Sequence, residues 1–476
     1  MARMGEKMGK NRLKNREKKV KYLTKITINI FKELESDDLT ILVDECLAKY
    51  STMRVGGVAR IVALPKSFAA FLRVFEVVRN QKFPYYILGN GSNTLCSSSG
   101  FDGVVICTKF MNKISKNVIA YSPARQMKKR RFNVKSVVTV VISTEVGDAV
   151  AAEVESARRH KCKCWLGRIC YCETTTKPAV KTSLVKRGCA ILDDKNALFE
   201  EKNIKNQIIP KCGILKNAKL TMFAECGALL PLMSKCVCDL GYSGFEFACG
   251  IPASCGGAVK MNAGAFGGQM ADIVSRVLIF NTKTCSVYYK NNEKFIKKND
   301  FLRKNCKKNA KGVPNINFLQ NEFAQTNNCE FCLTNNFCEF YKTEYRKTNI
   351  EDCEFIIGAE FIFPRGNKSD IIKKCLGNTN ARRATQSVGY PSLGSVFKRN
   401  GDFIPSAFID KLGLKGLTLG GAQVSKVHAG YIVNCGGATS DDILKLLKFL
   451  QNYICKISNI VVQYELKFLG EHNEEE

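Results

Sequence analysis

GYSGFEFACGIPASCGGAVKMNAGAFGGQMAD, Gly241 to Asp272, is the stretch on which the reading of this chain turns. Eight glycines fall inside it: Gly241, Gly244, Gly250, Gly256, Gly257, Gly264, Gly267 and Gly268. That density breaks a helix, and the residues between are too apolar for a solvated linker. Glycines so spaced let backbone approach a partner closely and leave peptide N–H groups free to face it. Phosphate and pyrophosphate are the usual beneficiaries. A buried set of tight turns between strands is the alternative, and these residues alone leave both open.

Working outward, a second glycine loop lies upstream. YYIL reads as a strand and runs straight into GNGSN, Gly89 to Asn93. A strand followed by glycines and small polar residues is a phosphate-cradling arrangement, although many β-turns look the same. Before it, ARIVALP reads as a strand, and Ser67 to Lys82 carries apolar residues at helical spacing with Ser67 as N-cap. FDGVVICT, Phe101 to Thr108, reads as the next strand. Downstream, VSRVLIFN and FIIGAEFIF read as strands. Ser440 to Ile457 reads as an amphipathic helix capped by Ser440, with Asp441 and Asp442 at its positive end.

The central stretch resembles the signature of the UDP-N-acetylenolpyruvoylglucosamine reductase family, flavoenzymes of peptidoglycan synthesis. That signature usually reads G-L-S-G-L-E-F-x-x-G-I-P-G-T-V-G-G-A-V-x-M-N-A-G-A-Y-G-G, and here Ala253, Ser254 and Cys255 replace its G-T-V. Further blocks follow the family in order: TMRVGG at Thr52 to Gly57, GNGSN, TEYRKT at Thr343 to Thr348, and ARRATQSVGYPSLGSVFKRNGDF at Ala381 to Phe403. VVQYELKFLGE resembles L-E-P-E-V-R-I-I-G, except that Tyr464 stands where the family has proline. The matched blocks cover roughly 25–110, 220–285 and 340–470. No extra tyrosine-bearing loop is apparent near the C-terminus, which suggests the shorter, type II form.

The resemblance implies an α+β fold: an FAD-binding fold of the PCMH / vanillyl-alcohol-oxidase type in two subdomains, plus a C-terminal α+β substrate-binding domain. The expected boundaries are 25–110, 111–370 and 371–476, with the last strand returning to the first subdomain. The implied activity is NADPH-dependent, FAD-mediated reduction of UDP-N-acetyl-3-O-(1-carboxyvinyl)-glucosamine to UDP-N-acetylmuramate. By match to the motifs, Ser395 would donate a proton, Arg346 would clamp the substrate carboxylate, and Glu465 would assist with a raised pKa. FAD would be held by Arg54, Gly56, Gly89, Asn90, Gly91, Ser92, Asn93, Gly250, Ile251, Pro252, Ser254, Gly256, Gly257, Asn262, Ala263 and Gly264. Tyr345, Lys398 and His428 are second candidates for holding the UDP-sugar, and Arg382 and Arg383 either meet phosphate or are exposed. Taken singly, a serine after a glycine is more often a turn residue, and a lone histidine more often structural.

The bulk numbers bound the rest. The chain has 476 residues, enough for several domains with a large core, and 45% of them are hydrophobic. Its formal net charge of +30 suggests an anionic partner or a solubility trait. Residues 1–24 read as a basic, disordered tail and not as a secretory signal, because Lys25 and Lys32 interrupt the first apolar run. No stretch of about 18 uncharged apolar residues is present, so no membrane span is expected. A cytoplasmic monomer without bound nucleic acid or metal is the expectation.

Two stretches depart from the family, at about 111–218 and 290–336. The first holds MKKRRF, a β-rich VKSVVTVVIS, and Cys162, Cys164, Cys170 and Cys172 beside His160. The second holds Cys329, Cys332 and Cys338. The first has only C-x-C pairs and the second a single C-x2-C pair, Cys329 and Cys332, where structural zinc takes two separated pairs; the 23 cysteines of the chain read as reduced thiols, several filling core positions. Two rival functions remain at this level. One is another FAD oxidoreductase of the same fold; the other is a catalytically degenerate copy with a basic nucleic-acid-binding surface.

Overall fold

The computed structural model describes residues 28–119, 139–142, 144–145, 189–192, 219–293, 340–387 and 389–470. The basic tail, MKKRRF, His160 and the cysteines named above, Cys162, Cys164, Cys170, Cys172, Cys329, Cys332 and Cys338, lie outside them. The chain is α+β, built on three main sheets.

The first sheet draws on β1 (Leu39–Cys46), β2 (Val58–Pro65), β3 (Tyr85–Leu88) and β5 (Phe101–Cys107), in the order β1-β2-β5-β3. Its β2, β5 and β3 are parallel, and β1 is an antiparallel edge. Helix α1 (Phe68–Asn80) crosses from β2 to β3. Ser67 caps it by accepting from Ala70 N at 3.0 Å. Phe68, Phe71, Leu72, Phe75 and Val78 recur at helical spacing, and all are buried.

The second sheet has seven strands, in the order β15-β14-β13-β18-β10-β6-β8. They are β6 (Ile114–Ile119), β8 (Thr144–Glu145), β10 (Lys219–Glu225), β13 (Val274–Asn281), β14 (Ser286–Asn292), β15 (Phe340–Tyr341) and β18 (Glu354–Pro364). The boundaries of the unmatched stretches shift accordingly. Ile114–Ile119 pairs antiparallel with Lys219–Glu225, so the backbone enters and leaves the first stretch on neighbouring strands. Within VKSVVTVVIS, β7 (Thr139–Ile142) pairs with β9 (Cys189–Leu192) in a separate ribbon, while β8 extends the large sheet at its edge.

Helix α1 is wedged between the two sheets. Phe71 stacks on Phe355 of β18 with centroids 4.3 Å apart, and Phe68 and Phe75 meet Phe280 of β13 edge-on. The far face of the large sheet buries Met222, Val277, Phe361 and Phe363 under α2 (Leu230–Asp239) and α3 (Cys255–Lys260).

Helix α4 (Lys368–Thr385) follows β18 and packs back on α2 and the 246–248 turn, where Asn378 donates to Glu246 O. The third sheet begins only at β19 (Ser392–Ser395) and adds β20 (Thr418–Leu419), β21 (Ala422–Val424) and β22 (Tyr431–Asn434), with α6 (Ser440–Ser458) across it beside the short α5 (Pro405–Lys411). The expected cap of α6 is displaced by one residue. Thr439 accepts from Asp442 N at 3.1 Å while Asp442 accepts from Thr439 N, a reciprocal box. Ser440 instead exchanges two bonds with Ser98. The final strand β23 (Lys467–Leu469) runs parallel to β4 (Thr94–Cys96), directly after the first glycine loop. Among the described residues no helix is long and apolar enough to cross a membrane.

Candidate active site

Both glycine loops open on one cavity of about 1420 Å³. Gly89 to Asn93 forms one wall, and Gly250 to Ser254, Gly256, Gly257, Ala263 and Gly264 another. The loops clasp each other: Asn90 Nδ2 donates to Pro252 O at 2.8 Å. Gly91 has φ +61°, and a Cβ there would lie 2.0 Å from Tyr50 O, so no side chain fits. Asn93 Nδ2 donates to Glu465 O at 3.0 Å, and Thr52 Oγ1 donates to Ser392 O at 2.7 Å. The first loop is therefore bonded to both the central stretch and the C-terminal unit.

Arg346 sits on a two-residue hairpin turn between β16 (Thr343–Glu344) and β17 (Lys347–Thr348), at φ +52°. Three bonds hold its guanidinium and leave two of its five N–H donors for a ligand. Nη2 donates to Gly264 O at 2.8 Å, Nη1 to Asn262 O at 3.4 Å, and Nε to Glu465 Oε1 at 3.0 Å. A planar fork suits this three-way grip; a point charge does not.

Glu465 N donates to Val396 O at 2.8 Å, which seats Glu465 one residue from Ser395. Burial pushes its carboxyl above the usual carboxylate range, against the pull of Arg346 and Lys398 in the other direction. The Ser395 hydroxyl lies 3.5 Å from Phe397 O, the limit of a hydrogen bond, and is held only lightly. Ser395, Arg346 and Glu465 thus line one cavity, although they come from three separated segments.

The other expected residues divide. Tyr345 lines the cavity half-exposed, under the Arg346 guanidinium at 5.1 Å. His428 lines it too. Its Nδ1 accepts from Gly430 N at 3.0 Å, and burial lowers its pKa, so the ring stands neutral with Nε2–H as its donor. Gly256 also packs inward, its Cβ position 2.9 Å from that of Cys226.

Arg54, Gly56, Asn262 and Lys398 are not on the cavity wall. Gly56 is pressed against Cys96 and Leu47. Asn262 is a buried clasp: its amide donates to Glu344 O at 2.9 Å and to Gln269 Oε1 at 3.0 Å, and it accepts from Ala271 N at 3.0 Å. It fixes the hairpin that carries Arg346. Lys398 lies off the wall, and its neighbour Arg399 lines it instead.

Arg383 is exposed and also lines the wall; Arg382 is buried there. Its Nε donates to Cys249 O at 3.2 Å and its Nη1 to Gln386 Oε1 at 2.6 Å. Its Nη2 is buried without a partner among the described residues. An unmet guanidinium donor on a cavity wall is a seat for an anion.

These features define a class: an α+β protein whose three sheets enclose a cation-lined cavity between two glycine loops. Residues 386–469 match the family model of the UDP-N-acetylenolpyruvoylglucosamine reductase C-terminal domain. The chain is 27% identical over 448 residues to the UDP-N-acetylenolpyruvoylglucosamine reductase of Clostridioides difficile, covering 94% of this chain and 98% of that protein. It is 25% identical over 434 residues to that of Petrotoga mobilis, covering 91% and 95%. A crystal structure of the reductase from Thermus caldophilus superposes with a TM-score of 0.49 at 19% identity, over 90% of this chain and 98% of that one. The chain is similar to these reductases along nearly its whole length.

Proposed function

We propose that this chain reduces UDP-N-acetyl-3-O-(1-carboxyvinyl)-glucosamine to UDP-N-acetylmuramate in the cytoplasm, using NADPH through bound FAD. The observation that carries the reading is the Arg346–Glu465 pair on the cavity wall that Ser395 also lines.

The residues present fit a flavin dinucleotide. The cavity exceeds the roughly 300–1,000 Å³ of a pocket for one small ligand, which leaves room for a second. Its glycine loops admit close backbone approach, and the unmet donor of Arg382 suits a phosphate oxygen. Gly89 to Asn93, Gly250 to Ser254, Gly256, Gly257, Ala263 and Gly264 would hold the group, the first two sheets acting as flavin subdomains of the PCMH / vanillyl-alcohol-oxidase type. When bound, the flavin supplies the ring that takes hydride from NADPH and gives it to the alkene.

The chain's own residues do the rest. Arg346 binds the substrate carboxylate and stabilises the charge that grows there as the alkene is reduced. Glu465 holds the guanidinium in place. Ser395 Oγ gives its proton to the substrate carbon that the hydride does not reach; a weak acid suffices because the charge beside it is strongly basic. Tyr345 and His428 Nε2–H orient the UDP-sugar.

Purification tests the reading. The protein should be yellow with a flavin spectrum that NADPH bleaches, and NADPH oxidation should depend on the enolpyruvyl sugar. A colourless protein that binds DNA in a salt-sensitive manner would favour the degenerate copy instead.

A further inference from the structure

Three cysteines from distant parts of the chain converge behind the second glycine loop. Cys238 ends α2, Cys375 lies in the second turn of α4, and Cys249 immediately precedes Gly250. The Cys375 and Cys238 sulfurs are 3.2 Å apart. Cys249 Sγ lies 3.2 Å from Ser234 Oγ, one helical turn before Cys238 on α2. None of the three enters the reaction above, and two of them, Cys249 and Cys375, are only partly buried.

The cluster is polarised. Hydrogen bonds from Cys238, then Ser234 and Cys375, bring the Cys249 thiol down to about 6, against burial and the nearby Glu246 carboxylate. The Cys238 thiol is pushed far up, first by its bond to Cys249 and then by burial. Cys249 is thus the thiol of the cluster that ionises most readily, with two thiols against it. A thiolate with partial access is the form that oxidants attack, and a neighbouring thiol is what resolves the product.

We infer that Cys249 is an oxidant-sensitive thiol that closes a disulfide with a neighbouring thiol of this cluster, fastening the entry to the Gly250 loop onto the helical layer behind it. The oxidant is a hydroperoxide. The Cys249 sulfur attacks one peroxide oxygen, the S–O bond forms, the O–O bond breaks, and the leaving hydroxide takes a proton and departs as water. The second sulfur then displaces the hydroxyl from the sulfenic sulfur, which leaves as water with the second thiol's proton. Two thiols and one hydrogen peroxide give one disulfide and two waters.

Cys249 Sγ meets Ser234 Oγ, one helical turn before Cys238 on α2, and the Cys238 sulfur in turn stands 3.2 Å from that of Cys375, so the disulfide, about 2.0 Å between sulfurs, closes within one contiguous cluster. The bond would form one residue from Gly250, whose φ of +79° no ordinary side chain shares easily. It would also pull on the Cys249 carbonyl that holds Arg382. Oxidation therefore reports directly to the anion seat on the cavity wall. This inference stands on the cluster alone and survives even if the proposed reaction is wrong.

The test uses the full-length reduced protein, hydrogen peroxide at a few equivalents, maleimide blocking, and peptide mass mapping. Exposed Cys435 serves as the internal reference. The expected result is a peptide pair joining Cys249 to Cys375 or Cys238, two hydrogens lighter than the free peptides and cleaved by dithiothreitol. Maleimide should label Cys249 about tenfold faster than Cys435 at neutral pH. In Cys375→Ser the link should move to Cys238, and in Cys249→Ala the fast peroxide-dependent step should vanish. Oxidised wild type with no Cys249-containing link, or with Cys249 labelled no faster than Cys435, would overturn the inference without need of any variant.

Discussion

Arg346 Nε donates to Glu465 Oε1 at 3.0 Å, joining residues 119 apart in the chain. The pair ties the second sheet's hairpin to the segment that returns to β4, so the site exists only when the N- and C-terminal parts are docked. Arg346→Lys keeps the charge and loses the fork that reaches Gly264 O and Glu465 together. Sugar-dependent NADPH oxidation should fall by about 10²–10³ in kcat. Steady-state kinetics checks it; a change confined to KM would mean that Arg346 binds ground state and transition state alike.

Glu465 makes stability depend on pH. Its carboxyl is raised above 4.5 by burial, so the folded protein holds this proton more tightly than the unfolded chain. The contribution is fully present below about 4.5 and is lost as pH rises through the raised folded value. Glu465→Gln removes the titration. Thermal melts from acid to neutral pH should show wild type losing stability relative to Glu465→Gln across that window. Parallel curves for the two proteins would contradict the assignment.

Much of this was legible in the sequence. The strands of the first sheet, though not their parallel pairing, α1 with its Ser67 cap, and both glycine loops followed from local patterns. Glu465 was read as perturbed, and it is. The cap of α6 was missed by one residue because Thr439 and Ser440 are both good caps, and only the return bond from Asp442 decides between them. The family resemblance puts Asn262 among the flavin-holding residues. Its role as a buried clasp depends on Glu344, which is 82 residues away, and no local pattern shows that contact. The same holds for Cys238, Cys249 and Cys375, whose meeting depends on how α4 packs against α2. Replacing Thr439 by alanine should cost about 1 kcal/mol by urea titration.

Asn262→Ala tests the clasp. It leaves Glu344 O and Ala271 N without their side-chain partner in a buried place, which should cost about 2 kcal/mol or more of folding stability. Chemical denaturation reads the loss. Sugar-dependent turnover should fall as well, because the Arg346 hairpin loosens, even though Asn262 does not itself line the cavity.

Phe71 is fully buried between the two sheets, against Phe355 and Phe280. Phe71→Ala should destabilise by about 3–5 kcal/mol. The midpoint of urea unfolding measures this directly. A loss below about 1 kcal/mol would show that the sheets do not depend on α1 for their packing.

Ser395→Ala is the most direct measurement of the central claim. NADPH oxidation is followed with and without UDP-N-acetyl-3-O-(1-carboxyvinyl)-glucosamine, alongside the bleaching of the flavin by NADPH in a single turnover. The account predicts that the variant bleaches at the wild-type rate but reduces the sugar at least about 10²-fold more slowly. Sugar turnover equal to wild type would contradict it.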